Sequence, residues 1–301
     1  MVESVCYRHA DRETFVSCTR CERLICPDCM LPASVGFQCP SCVKEGAATV
    51  RQPKAAYGGK ASSTPTVTFT LIGLNVAMFL LTTATGTGLL AGGTPSSVFR
   101  RLAMVPITQV QGFQLPGFVG EGVANGGYYR LLTACFLHYG IIHIALNMLA
   151  LFQLGPALEA AFGRLRFTAL YLVSGIGGSA LSYALGPTFS QAAGASGAVF
   201  GLFAAFFVLQ RKRGGDVTQI GAVIAINLVI SFSARGYIDW RGHVGGLVTG
   251  ALVTAALVYA PAGPRRNLLQ VGGFLSALVL VVGIVAVRTA DLSNAVAALT
   301  P

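Results

Sequence analysis

Ser196 stands in Gly194-Ala195-Ser196-Gly197, a hydroxyl among small residues at the opening of an apolar run. At a helix start the unpaired N–H groups and the dipole favour developing negative charge, which suits an oxyanion. His243 opens another apolar run, aligned with Gly246 and Gly250, and Gly197 and Gly201 repeat that spacing beside Ser196. Small residues four apart let two helix backbones approach closely, so the hydroxyl and the imidazole come near one another. Such a pair can do nucleophilic catalysis, the ring taking the proton as the oxygen attacks. His143 and Asn147 lie four residues apart in a third run, so they share one helix face as two neutral hydrogen-bond donors. Ionisable groups inside a membrane are costly, which marks His138, His143 and His243 as functional candidates. Each piece has a plainer explanation: Gly-xxx-Gly as packing, Ser as a cap, His as a bridge between helices. The combination, with Ser and His on separate close-packing faces, is far more specific. No Asp or Glu in these runs is placed to orient His243, so the pair reads as a dyad.

The elements that must hold these residues are transmembrane helices. The chain is 53% hydrophobic and only 11% charged over 301 residues, where a soluble domain carries about 25% charged residues. Apolar stretches run over 66–90, 140–162, 167–185, 194–210, 217–232, 242–259 and 268–287, and seven helices are the simplest count. Nothing in the first forty residues resembles a signal peptide. The fourth stretch, about sixteen residues at about 1.5 Å each, reaches about 24 Å against a hydrocarbon core of about 30 Å. Its polar lead-in, 186–193, must therefore be enclosed by protein or wetted from outside, with Ser196 at the bottom of a water-accessible pit. The long segment 91–129 has few acids and several apolar residues, and reads as lying partly in the membrane interface.

The net charge of +10 raises nucleic acid as a partner, but the bases sit in short loops between apolar runs and form no aromatic-studded face. They read as topology instead. Arg51, Lys54, Lys60, Arg164, Arg166, Arg211, Lys212, Arg213, Arg265 and Arg266 fall on the N-terminal side; Arg100, Arg101, Arg130, Arg235, Arg241 and Arg288 fall on the other. The bias, modest in size, favours a cytoplasmic N-terminus and an outside C-terminus, and the expected location is the plasma membrane, as a multi-pass protein.

Residues 1–50 are different in kind, holding seven of the eight cysteines and six of the eleven acids. Cys6-x2-His9, Cys18-x2-Cys21, Cys26-x2-Cys29 and Cys39-x2-Cys42 are four paired knuckles, enough for two closed tetrahedral zinc sites with no open position for catalysis. So short a segment lacks the apolar surface to fold unaided, and bound metal would supply the missing free energy. The alternative, a disulfide framework, needs an oxidising compartment that a cytoplasmic N-terminus excludes. Spacing alone permits either sequential or crossed pairing of the knuckles. What this head binds is not legible. Residues 51–65, rich in Lys, Gly, Ser and Ala, read as a flexible linker.

Taken together, Gly194-Ala195-Ser196-Gly197, the His138, His143 and Asn147 series, and His243-x2-Gly246-x3-Gly250 resemble the rhomboid family over 66–259. Tyr129-Arg130 stands where the family commonly has Trp-Arg, Gly155-x3-Glu159-x3-Gly163 also matches, and Phe200 replaces a common Tyr beside the catalytic histidine, keeping the ring and losing a hydrogen bond. The resemblance implies an all-α polytopic membrane protein with a six-helix core over 66–260, and a seventh helix and tail over 261–301 as an addition. It implies an intramembrane serine endopeptidase acting on membrane-protein substrates, with Ser196 as nucleophile, His243 as base, His143, Asn147 and the Ser196 N–H as oxyanion donors, and no catalytic cofactor. Small or helix-breaking residues near the cut, and structural roles for Arg130 and Glu159, are implied likewise. The knuckle order of the head resembles a B-box-type zinc finger, which implies that the first and third pairs share one metal and the second and fourth the other. A proteolytically dead relative that escorts membrane clients is the main alternative, against which the retained Ser196 and His243 argue. A transporter is the third reading, and no repeat relates two halves of the chain.

Overall fold

The computed structural model describes residues 4–49, 55–59, 64–90, 95–110 and 113–298. They fall into two compact units, Met1–Pro53 and Lys54–Pro301. In the first, β1 (Leu31–Pro32) pairs antiparallel with β2 (Phe37–Gln38), and α1 (Pro40–Thr49) follows. Its buried cluster is six cysteines, Cys6, Cys18, Cys26, Cys29, Cys39 and Cys42, plus Ile25. A core with one aliphatic side chain cannot offset the entropy of ordering the chain.

The second unit is mostly helical. Its long helices are α2 (Thr66–Ala84), α5 (Ile141–Phe162), α6 (Arg164–Leu185), α7 (Ser196–Lys212), α8 (Thr218–Ser233), α9 (Trp240–Tyr259) and α10 (Arg266–Ala297), with the short α3 (Ser97–Leu102) and α4 (Arg130–Thr133) between α2 and α5. Every apolar stretch read from the sequence contains a helix, although the first, read to residue 90, is helical only to Ala84. Five of them, α2, α5, α6, α9 and α10, are long and apolar enough to cross a membrane. With 17 and 16 residues, α7 and α8 are shorter. The helices run past the apolar stretches into Arg164, Lys212 and Arg266, because hydropathy ends at the first charge whereas helical hydrogen bonding does not. The largest extension is α10, whose 32 residues span about 48 Å at about 1.5 Å per residue.

Glycine decides how the central helices pack. A methyl on Gly246 of α9 would lie 1.9 Å from the Gly197 carbonyl oxygen, and one on Gly250 would lie 2.4 Å from Gly201 Cα, so α7 and α9 touch backbone to backbone. On its other side α7 meets α6, where a methyl on Gly178 would lie 3.1 Å from Gly197 Cα. Only residues without a β-carbon permit these contacts. The helix carrying Ser196 is thus wedged between α6 and the helix carrying His243.

The segment from α3 to α4 is a folded cap. It contains α3 and a hairpin of β3 (Gln109–Val110) and β4 (Phe113–Gln114). Its apolar residues Phe99, Met104, Val105, Ile107 and Val123 are buried in the protein itself. Arg130, fully buried, donates to the carbonyls of Arg100, Ala103, Val119 and Glu121 and so gathers the segment around one guanidinium. Glu159 is also fully buried; it accepts from the backbone N–H groups of Val67 and Thr68 and from the Thr68 hydroxyl, capping the first turn of α2. Of the stretch read as a linker, 51–54 and 60–63 lie outside the described residues. Within 55–59, Tyr57 N–H donates to Ala161 O and Gln270 Nε2 donates to Tyr57 O, which ties that turn to α5 and α10.

Candidate active site and metal centres

In the first unit the donor atoms form two groups, Cys6, His9, Cys26 and Cys29, and Cys18, Cys21, Cys39 and Cys42, each with all four atoms within 4.8 Å of one another. Donors about 2.0–2.3 Å from a tetrahedral ion stand about 3.5–3.8 Å apart. His9 Nδ1 lies 3.2, 3.5 and 3.8 Å from the sulfurs of Cys26, Cys29 and Cys6, and Cys21 Sγ lies 3.7 Å from Cys39 Sγ. The spacing fits a metal ion in each group. The first knuckle joins the third and the second joins the fourth, so the fold selects the crossed pairing that spacing left open. All eight cysteines are free thiols. Arg23 Nε donates to Cys21 Sγ at 3.3 Å and holds that thiol below its ordinary pKa, toward the thiolate a metal needs.

In the second unit α7 begins at Ser196, since Gly194 has φ 148°, a left-handed value that ends any helix there. The first intrahelical bond of α7 is Val199 N–H to Ala195 O. The amides of Ser196, Gly197 and Ala198 therefore precede the first available helical carbonyl. Gly194 N–H donates to Ala134 O at 2.9 Å, and Ala192 exchanges both backbone hydrogen bonds with Met104 at 2.9 Å. The polar lead-in is only partly enclosed, with Pro187 and Phe189 exposed and the cap pairing with it at Ala192.

His143 projects toward the same point. A methyl on Gly194 would lie 2.8 Å from His143 Cε1, 2.9 Å from His143 Nε2 and 3.4 Å from Ser196 Oγ, so the ring edge and the hydroxyl flank the space that glycine leaves. His143 Nδ1 accepts from Tyr139 N–H at 3.4 Å. That contact assigns the proton of the neutral ring to Nε2, the nitrogen facing Gly194 and Ser196. Asn147 is buried one turn further along α5 and donates one amide hydrogen to His143 O at 2.9 Å, leaving its second. His138 is fully buried behind His143, its ring edge-on with centroids 5.0 Å apart.

His243, in the first turn of α9, lies flat against Phe200, with ring centroids 4.2 Å apart and planes 13° off parallel. Phe200 is one turn along α7 from Ser196, so the stacking carries the imidazole to the face on which Ser196 opens the helix. The other partner of the ring was not legible in the sequence: Ser231 Oγ of α8 lies 2.7 Å from His243 Nδ1. The cleft that Ser196 lines is walled by Ala134, Gly175, Gly178, Ser179 and Gly242, with Asp239 its one acidic residue.

The Rhomboid domain family profile matches residues 125–260. The rhomboid protease GluP of Bacillus subtilis is 42% identical over 146 residues, covering 47% of this chain and 28% of that protein. RHOMBOID-like protein 2 of Arabidopsis thaliana is 38% identical over 140 residues, 44% of this chain and 43% of that one. The putative rhomboid protease YdcA of Bacillus subtilis is 36% identical over 138 residues, which are 44% of this chain and 69% of its own length. The chain belongs to the rhomboid family. The matched residues include Ser196, His243, His143 and Asn147. The cysteine-rich head, α2 and α10 fall outside the match. Phe200 stacks on His243 without the hydroxyl that many rhomboids carry there, and Tyr129 OH reaches Arg101 O at 3.3 Å from the position of the family's tryptophan.

Proposed function

We propose that this protein is an intramembrane serine endopeptidase that cuts transmembrane or membrane-proximal segments of other membrane proteins. The observation that carries the reading is the convergence of Ser196 Oγ and the N–H edge of His143 on the space beside Gly194, at a helix start with unpaired amides. His243 Nε2 takes the Ser196 proton as Oγ attacks the scissile carbonyl. The resulting oxyanion receives hydrogen bonds from the Ser196 N–H, His143 Nε2 and the second Asn147 hydrogen, donors worth about 100- to 1000-fold each in such sites. His243 then protonates the leaving amine, and water admitted to the cleft releases the acyl-enzyme. The walls of glycine, alanine and serine favour a small substrate side chain beside the cut. A helical substrate must unwind locally first, because its peptide bonds are shielded by their own hydrogen bonds.

The basic residues at the starts of α6 and α10 and the end of α7 support a cytoplasmic N-terminus, with the Ser196 cleft open to the opposite side. A fluorophosphonate probe tests the chemistry directly. Covalent labelling of Ser196, mapped by mass spectrometry, is the expected result. A folded protein that captures membrane clients and never reacts with the probe overturns it in favour of client binding.

The two donor groups of the head hold one structural zinc ion each in this reading, and the ions act in folding only. Metal analysis of protein purified without chelator then gives two zinc ions per chain. One or none overturns the two-site assignment.

A further inference from the structure

We propose that Ser231 is a positioning residue for His243, fixing the ring in the tautomer whose free nitrogen is Nε2. The inference rests on the serine-protease reading above and extends the dyad of Ser196 and His243 by a third member, the Ser231 hydroxyl. Ser231 has one hydroxyl hydrogen, and its Oγ donates to Asn227 O at 2.6 Å on its own helix. A carbonyl can only accept, so that hydrogen is spent there. Toward His243 Nδ1, at 2.7 Å, Oγ presents lone pairs, and Nδ1 must be the donor. The neutral ring then carries its proton on Nδ1 and is basic at Nε2.

Stacking on Phe200 cannot make this choice. It fixes the plane of the ring but not which edge faces which way, since a half-turn about the Cβ–Cγ bond leaves the plane unchanged. The hydrogen bond to Ser231 separates the two orientations, because a flipped ring would set a carbon against Oγ. When His243 becomes a cation the Nδ1–H bond strengthens, so the contact favours the transition state over the resting site.

Burial argues the same way. Ser231 is 2% exposed and is the one buried residue of α8, a helix of mostly apolar side chains. Apolar residues of α8 such as Val223, Ile224 and Leu228 are only partly buried, so a hydroxyl at its one buried position, facing the general base, is not explained by packing. Serine hydroxyls often bond the carbonyl four residues back with no further role, and the test below separates that case.

Thr and Val have the same shape, and Thr alone keeps an oxygen in reach of Asn227 O and Nδ1. The readout is the maximal rate at which a fluorophosphonate probe labels Ser196, with the probe's half-saturation and thermal stability measured beside it. Ser231→Val lowers the maximal rate about 10- to 100-fold, the range for one hydrogen bond to a group that becomes charged, and leaves half-saturation unchanged. Ser231→Thr retains most of the rate. Equal rates in the two variants, whether both low or both near wild type, overturn the inference. If the valine variant does not accumulate as folded protein, Ser231→Ala replaces it and is judged against Thr by the same criterion. Labelling that persists in Ser196→Ala defeats the protease reading itself, and so is distinct from a failure confined to Ser231.

Discussion

Ser196→Ala and His243→Ala each abolish cleavage of a single-span membrane substrate that the wild type cleaves on co-expression, a loss of at least about 1,000-fold. The two side chains act as one unit, so the double mutant is scarcely worse than either single one. Ser196 is the cleaner test, since its neighbours are Gly194, Ala195 and Gly197 and removal of one oxygen leaves almost no void. His243→Ala also removes the face on which Phe200 stacks. Aromatic pairs of that kind contribute about 0.5–1.5 kcal/mol, so a modest fall in melting temperature accompanies the chemical loss. Cleavage by Ser196→Ala at the wild-type rate, with contaminating proteases excluded, sinks the serine mechanism.

The candidate site was legible in the sequence where its signals are local. Ser196 among small residues, His143 with Asn147 one turn on, and the glycine spacing after His243 are each read from a few consecutive positions, and charge is rare enough in the apolar body for a histidine to stand out. Ser231 sent no such signal. A serine in an apolar helix looks the same whether it bonds its own carbonyl or a neighbouring imidazole, and only the packing of α8 beside α9 distinguishes them. The partner of the lead-in was hidden for the same reason: Met104 and Ala192 pair across a long stretch of sequence, and neither residue type announces it. Arg130, counted among the topological charges and given a structural role only by the resemblance, is committed to four backbone carbonyls, and a composition count cannot separate those roles. In the head, the spacing named the ligands but the crossed grouping needed the fold.

Gly246→Ala carries the second large effect, and it separates the geometry of the site from its chemistry. No reacting atom is touched. The added methyl would lie 1.9 Å from the carbonyl oxygen of Gly197 and 2.5 Å from its carbon, both backbone atoms that cannot rotate away. Gly197 cannot retreat, because its Cα is already against Gly178 of α6. The strain is relieved only if α9 moves away from α7, by more than an ångström to restore ordinary contact. His243 precedes Gly246 by three residues on α9 and moves with it, whereas Ser196 is fixed at the start of α7. A displacement of about 1 Å between reacting groups costs about 100-fold, and overpacking of this kind costs about 1–3 kcal/mol of stability. Gly246→Ala therefore labels with a fluorophosphonate about 100-fold more slowly than wild type and melts at a lower temperature. Gly272→Ala is the control, since a methyl there meets nothing within 4 Å, and it labels as wild type does. Labelling of Gly246→Ala at the wild-type rate would mean that the backbone contact of α7 with α9 does not set the Ser196–His243 distance.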